Sequence, residues 1–213
     1  MQRIIITDDH PLFRSALAQA VLKVWPQGEI AEAESVQEAQ KLLANGKADL
    51  LLLDLHLPDS EGLAALLDFR HEYPAMPVAV VSASEEDRVV RASQSLGASA
   101  FIPKSSSLDE MRVALSAVSE GEVWFELDDN MDGDDLSDDF ARLASLTPAQ
   151  RKILLLMNEG LLNKQIAFRM EISEATVKAH ITAIFRKLEV INRTQAVLIA
   201  QKLDVAEPTT QLP

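Results

Sequence analysis

The sequence predicts an α/β fold, a doubly wound (βα)5 parallel-sheet domain, followed by a small all-α domain. Three observations carry that expectation. Four apolar runs in the first half, Arg3–Thr7, Leu50–Leu53, Val78–Val81 and Phe101–Ile102, are short and continuous, as strands buried on both faces of a parallel sheet are. Segments with helical spacing of apolar residues separate them. Residues 147–204 carry helical signals only.

The elements follow in order. After the strand ending at Asp8-Asp9, Leu12, Leu17, Ala20, Val21 and Val24 recur at helical spacing. A weak strand is expected near Glu29–Ala33. Ser35-Val36-Gln37-Glu38 is a capping box opening a helix to about Ala44, and Asn45-Gly46 stops it. Leu63, Leu66, Leu67 and Arg70 mark another helix, Glu85 to Leu96 a fourth, and Leu108 to Ser119, capped by Ser107, a fifth. Right-handed crossovers make the doubly wound sheet the natural arrangement.

Thr147-Pro148-Ala149-Gln150 combines an N-cap, a proline at the first helical position and a capping-box acceptor, for a helix to about Asn158. Asn163 is expected to cap a short helix, Lys164 to Met170. Ser173, after the tight turn Glu171-Ile172-Ser173, should cap a longer one to about Leu188, and Thr194 a last one to Leu203. Two helices joined by a three-residue turn make a helix-turn-helix. The expected boundaries are 1–120, an acidic linker 121–145, a helical domain 146–205 and a disordered tail 206–213.

Composition bounds the function. Two domains fit 213 residues, and 47% apolar content excludes wholesale disorder. The chain has no cysteine, hence no disulfide, thiolate metal site or cysteine nucleophile. No signal segment and no apolar run of membrane-spanning length is visible, so a cytoplasmic protein without membrane contact is expected. The net charge of −13 looks wrong for a nucleic-acid binder, yet it is partitioned. Ten basic and 17 acidic residues in 1–119 give −7, ten acids alone in 120–139 give −10, and nine basic against five acidic residues in 147–204 give +4.

Each strand of the first half ends in polar chemistry: Asp8 and Asp9, Asp54, Ser82, and Lys104 after Pro103. Ligands of open α/β sheets sit beyond the carboxyl ends of the strands. Asp8, Asp9 and Asp54 can ligate Mg2+, which favours carboxylate and water oxygens. Asp54 can act as a nucleophile toward phosphorus, with Lys104 and Ser82 facing the phosphoryl oxygens. Any one strand-end aspartate alone is more often a turn residue; the joint occurrence changes the reading.

Asp8-Asp9-His10-Pro11, Asp54-Leu55-His56-Leu57-Pro58, Val81-Ser82-Ala83 and Phe101-Ile102-Pro103-Lys104 resemble the receiver domain of two-component response regulators over about residues 2–120. The resemblance implies that Asp54 is phosphorylated by a sensor histidine kinase with Mg2+ on the acids. It further implies that Ser82 and Phe101 rearrange as a switch, with Phe101 turning inward. His56, two residues past the acceptor, is a candidate for tuning acyl-phosphate hydrolysis; an unchanged phosphoryl half-life in His56→Ala would reject that. Leu57 stands where many receivers have Met, and Ser105 follows the lysine where many have proline. A haloacid-dehalogenase-type phosphatase would need a second aspartate at position 56, which is histidine.

Leu146-Thr147-Pro148, Gly160–Ala167, Ile172–His180, Lys187-Leu188, Val190 and Arg193-Thr194 resemble the LuxR-type DNA-binding domain, and the whole chain resembles a NarL/FixJ-family regulator. Ile166, Ala167, Met170, Ile172, Val177, Ile181, Ile184 and Leu188 read as core. The resemblance makes Lys178 and Thr182 candidate base readers in double-stranded DNA, with Ala179 a contact to a thymine methyl. Thr176, His180, Lys187, Lys164 and Asn163 become candidate phosphate contacts, which position but do not specify. A charge of +4 is modest, so a homodimer on adjacent half-sites, formed on phosphorylation or on DNA, is expected. The last helix, with Ala196, Val197, Ile199 and Ala200, would supply the dimer surface or complete the core.

The acidic connector carries two further expectations. It would dock on the basic helix before phosphorylation, so that neutralising its acids raises basal DNA affinity. Alternatively Asp128, Asn130, Asp132, Gly133, Asp134 and Asp139 match the spacing of an EF-hand loop, though position 12 is Asp and position 8 is Asp135. Two other functions compete with a phosphorylation-controlled transcription regulator that is not an enzyme. One is an orphan regulator binding DNA independently of phosphorylation. The other is a small-molecule-sensing receptor, disfavoured by 5% aromatic content.

Overall fold

The computed structural model describes residues 2–60, 62–126 and 134–203. The chain divides into two compact units at Gly133/Asp134.

In the first unit, strands β1 (Arg3–Thr7), β2 (Glu29–Ala33), β3 (Leu50–Asp54), β4 (Val78–Ser82) and β5 (Ala100–Pro103) form one parallel sheet in the order β2-β1-β3-β4-β5. The chain steps from β1 to β2 in one direction and from β3 onward in the other. The crevice beyond β1 and β3 is therefore the topological switch point, where such sheets bind ligands. Register fixes which residues reach that edge: Thr7 lies opposite Leu53, Asp54 opposite Val81 and Ser82 opposite Pro103.

Alternate strand residues serve opposite faces. Ile4, Ile6, Leu50, Leu52, Ala79, Val81, Ala100 and Ile102 pack against helices α1 (Pro11–Val24) and α5 (Leu108–Ser119) through Leu17, Val21, Met111 and Leu115. Ile5, Leu51, Leu53, Val78 and Val80 are buried as well, so both faces are covered and the runs read as continuously apolar. Each such side chain contributes about 1.5–3 kcal/mol by leaving water. The remaining helices are α2 (Val36–Ala44), α3 (Ala64–Glu72) and α4 (Asp87–Ser95). Ser35 and Ser107 cap α2 and α5 as their sequences imply. Gly97, at φ +85°, ends α4 in the left-handed region that glycine adopts without steric cost.

After α5 the chain returns along the sheet edge. Trp124 bridges Ala100, its N–H donates to the Ser99 carbonyl (3.0 Å), and its carbonyl accepts from the Phe101 N–H (3.0 Å).

The second unit is α-helical: α6 (Asp134–Ala144), α7 (Pro148–Asn158), α8 (Asn163–Met170), α9 (Glu174–Leu188), α10 (Arg193–Ala200) and a closing 3-10 turn, Gln201–Leu203. The expected core residues Ile166, Ala167, Val177, Ile184 and Leu188 are buried, while Met170, Ile172 and Ile181 are half-buried.

Here the structure corrects three readings. The solvated linker expected over 121–145 is helical from Asp134. Phe140, Leu143 and Leu146, three residues apart, are fully buried, and apolar burial outweighs the repulsion among its acids. Arg142 meets Asp139 (3.2 Å) and Glu189 (2.9 Å), and Lys202 pairs with Asp139. Asp134 and Asp139 of the EF-hand spacing lie in this helix, and Asp139 is committed to those cations; Asp128, Asn130, Asp132 and Gly133 lie outside the described residues, as does the tail 206–213. The N-caps also differ. Leu162, not Asn163, precedes α8, with Gln165 accepting from the Leu162 N–H (2.7 Å). Asn192, not Thr194, caps α10 and accepts from the Gln195 N–H (2.9 Å).

Candidate functional site: an acidic pocket and a basic helix face

The first unit gathers its charged strand ends into one pocket. Asp8 and Asp54, at most 1% exposed, follow β1 and close β3. Lys104, following β5, reaches both: its Nζ lies 2.7 Å from Asp8 Oδ2 and 2.7 Å from Asp54 Oδ2. The turns are held by the carboxylates themselves. Asp8 Oδ1 accepts from the His10 N–H (2.8 Å), and Asp54 Oδ1 from the His56 N–H (3.1 Å). Burial opposes the charge on Lys104, but hydrogen bonds to and attraction by Asp54 and Asp8 outweigh it, so its pKa is raised. The ammonium also sits 4.9 Å from the centre of the Phe13 ring, a cation–π contact.

Ligand atoms of Asp8, Asp9, His10 and Asp54 lie within 4.8 Å of one another. Asp8 Oδ2 and Asp9 Oδ1 are buried and accept no well-aligned hydrogen bond. Lys104 Nζ lies 2.7 Å from the first and His10 Nδ1 2.6 Å from the second. Oxygen donors with unused lone pairs are what a divalent cation requires, so the cluster can hold one.

Ser82 is buried at the end of β4, and its Oγ accepts from the Ser84 N–H (3.1 Å). Phe101 is 2% exposed. Ser105, the departure beside Lys104, donates its hydroxyl to Glu85 and ties the loop after β5 to the loop after β4.

Sequence reasoning missed Arg14. Its buried guanidinium donates to the Asp8 carbonyl (2.7 Å), to Glu32 (2.8 Å) and to Glu34 (2.8 Å). The Asp8 N–H donates in turn to the Ala33 carbonyl (3.1 Å). Asp8 is therefore pinned by its backbone on both sides. A charged residue inside an otherwise apolar helix pattern was the available signal.

In the second unit, α8, the turn at Glu171 and α9 form the helix-turn-helix. Lys178, Ala179, Thr182 and Thr176 are exposed on α9, and Lys164 on α8; His180 and Asn163 are half-buried. Lys178 pairs with Glu174 (3.0 Å), the Thr182 hydroxyl donates to the Lys178 carbonyl (3.0 Å), and that of Thr176 meets Ser173 (2.7 Å). These are exposed local contacts that another partner can replace.

Lys187 departs from its expected role. Its Nζ donates to the Ser145 carbonyl (2.7 Å) and to Gln150 (3.0 Å), buckling α9 to the start of α7 rather than facing a phosphate. Arg186, exposed and four residues beyond Thr182, shares the candidate reading stripe instead. On α10, Ala196, Ile199 and Ala200 are buried and complete the core, Val197 is half-buried, and Leu198 is 57% exposed.

Comparison with known proteins finds a family for each unit. The response regulator receiver domain model matches residues 4–116, and that of bacterial regulatory proteins of the luxR family matches 144–200. The chain is 38% identical over 214 residues to a glycerol metabolism activator of Pseudomonas putida, covering 96% of this chain and 97% of that protein. It is 30% identical over 199 residues to the response regulator protein VraR of Staphylococcus aureus, covering 93% and 95%. A solved structure of two RcsB dimers bound to two parallel DNAs superposes with a TM-score of 0.54 at 20% identity, over 94% of this chain and 98% of that one. At that identity the likeness is one of fold.

Proposed function

The chain belongs to the response regulators that join a receiver domain to a LuxR-family DNA-binding domain and regulate transcription, and from that premise we propose that phosphorylation of Asp54 controls dimerisation and sequence-specific binding of double-stranded DNA. The observation that carries this is the Asp54 carboxylate, buried at the switch point of the sheet, bonded to Lys104 and flanked by Asp8.

In this reading an Asp54 oxygen attacks the phosphorus of a phosphohistidine on a sensor kinase. The P–N bond breaks as the P–O bond forms, and the imidazole leaves with a proton. Asp8, Asp9 and Asp54 would hold Mg2+, which when bound supplies positive charge to the phosphoryl oxygens. Lys104 neutralises another oxygen, and its raised pKa keeps it charged at neutral pH. The Ser82 hydroxyl donates to a third. Asp54 is then a stoichiometric acceptor, not a catalyst turning over substrate. The acyl phosphate adds about −1.5 to −2 charges, and Ser82 and Phe101 are the residues placed to relay it.

On the DNA side, Lys178 and Thr182 read base edges in the major groove with Ala179 beside them. Thr176, His180, Lys164 and Asn163 contact phosphates, joined by Arg186 in place of Lys187. A homodimer on adjacent half-sites supplies the affinity that one modestly charged unit lacks; dimers on DNA are what the RcsB likeness portrays for that protein. The role places the protein in the cytoplasm with the chromosome. Among the described residues no helix is long and apolar enough to cross a membrane.

The test is incubation with a small phosphodonor and Mg2+, read by intact mass, with DNA affinity measured before and after. One phosphoryl group gained by the wild type and none by Asp54→Asn, with tighter DNA binding on gain, is expected. Equal DNA binding with and without phosphorylation would point to an orphan regulator instead.

A further inference from the structure

Both loops that carry the pocket acids are tied to one place, the connection from β2 to α2, which adds no ligand atom to the acidic cluster. On the β1 side the tie is Arg14, near the start of α1. Its guanidinium donates to the Asp8 carbonyl (2.7 Å), to Glu32 (2.8 Å) and to Glu34 (2.8 Å), and the Asp8 N–H donates to the Ala33 carbonyl (3.1 Å). On the β3 side, the Asp59 carboxylate accepts from the Val36 and Gln37 N–H groups, each at 2.9 Å, where α2 begins. The β2–α2 connection is therefore a common base, against which the acids after β1 and the acceptor closing β3 are both set.

The burial of Arg14 indicates what this arrangement gains. Its side chain is 8% exposed, whereas Glu32 and Glu34 are 48% and 65% exposed. Two such glutamates could pair with a cation that stayed in solvent. Taking a guanidinium out of water is costly unless its donors are used, and the partner that only the buried position reaches is the Asp8 carbonyl. A rigid planar fork fixes all three acceptors relative to one another, which a flexible ammonium would not do.

We propose that Arg14 is a positioning residue of the phosphorylation pocket: its bond to the Asp8 carbonyl sets where the Asp8 and Asp9 carboxylates stand relative to Asp54, and so how tightly Mg2+ is held. This rests on the reading of Asp8, Asp9 and Asp54 as the Mg2+ site and of Asp54 as the phosphoryl acceptor. Arg14 touches neither the ion nor the phosphoryl group in this role.

Positioning and charge act on Mg2+ with opposite signs. Removing a guanidinium beside an acidic site favours a divalent cation by charge alone. Removing a bond that orients a ligand residue disfavours it. The test measures the Mg2+ affinity of the folded full-length Arg14→Gln chain by calorimetry, well below its melting temperature, and then phosphoryl uptake from a small phosphodonor as a function of Mg2+. The Mg2+ dissociation constant should rise on the order of tenfold, the lower end of what losing a partner of a metal ligand costs. The Mg2+ concentration for half-maximal uptake should rise with it, while the rate at saturating Mg2+ returns close to that of the wild type. Arg14→Lys keeps the charge without the fork and should shift Mg2+ binding in the same direction; it decides the matter if Arg14→Gln does not fold. Unchanged or tighter Mg2+ binding in the folded variant overturns the proposal and leaves the Asp54 reading standing. A wild-type chain that neither binds Mg2+ nor takes a phosphoryl group overturns both.

Discussion

The pocket and the candidate reading helix are both built from charge, in opposite ways. In the pocket the carboxylates of Asp8 and Asp54 are at most 1% exposed, and the ammonium of one lysine stands 2.7 Å from both. On α9, Lys178, Thr182 and Arg186 stand in solvent, and Lys178 is paired only with its helical neighbour Glu174. Buried charges must be matched, so removing one partner leaves another stranded. Exposed charges are screened and add one by one. The first region is a device in which single atoms are indispensable; the second is a surface whose strength is a sum.

The largest expected effect breaks the pocket at its acceptor. Asp54→Asn should abolish phosphoryl uptake from a small donor while leaving the basal affinity of the isolated DNA contacts intact, as intact mass and DNA titration would show. Next, Lys104→Met should lower stability by about 3 kcal/mol, since Asp8 and Asp54 would face each other without a cation; chemical denaturation measures it. The pH dependence has a definite sign. A raised lysine pKa stabilises fully below the ordinary lysine value, about 10.4, and loses that contribution as pH rises through the folded value. The gap between wild type and Lys104→Met should therefore stay flat from neutral pH to about 10 and shrink above it.

Smaller effects sharpen the other side. Lys178→Ala should cost about 1–3 kcal/mol on the preferred sequence and relax discrimination at one base pair. Arg186→Ala should weaken all sequences alike and reduce the salt slope by about 1, whereas Lys187→Ala should lower stability and leave that slope nearly unchanged. A slope change in Lys187→Ala would restore it as a phosphate contact. Last, Glu171 sits at φ 57° in the turn between α8 and α9. Glu171→Gly should stabilise the second unit by about 1 kcal/mol, seen as a higher melting temperature, because glycine adopts that backbone without Cβ strain.

The same contrast explains what could be read without coordinates. An apolar run ending in an aspartate or lysine declares both a strand and its polar end, so the meeting of Asp8, Asp9, Asp54 and Lys104 at one edge was legible. Side-chain direction was not. Lys187 and Arg186 are adjacent basic residues of one helix, and only packing shows that the first turns to Ser145 and Gln150. Arg14 was missed because its target is a backbone carbonyl, which every residue carries. In and just after α6 the stripe Phe140, Leu143, Leu146 has helical spacing, but the density of acids around it reads as solvation. The caps moved to Leu162 and Asn192 because Gln165 and Asn192 satisfy the first N–H groups of α8 and α10.

The return of Trp124 along β5 has a consequence for assembly. A sheet edge with free N–H and carbonyl groups is a template for another chain's strand. Here the Ser99 carbonyl and Phe101 N–H are already engaged by Trp124, while β2, at the opposite edge, carries exposed Glu29 and Glu32, paired with Arg3 and Arg14. One margin is hemmed by the protein's own chain and the other is lined by charged side chains. Growth of the sheet from one molecule to the next is discouraged at both margins.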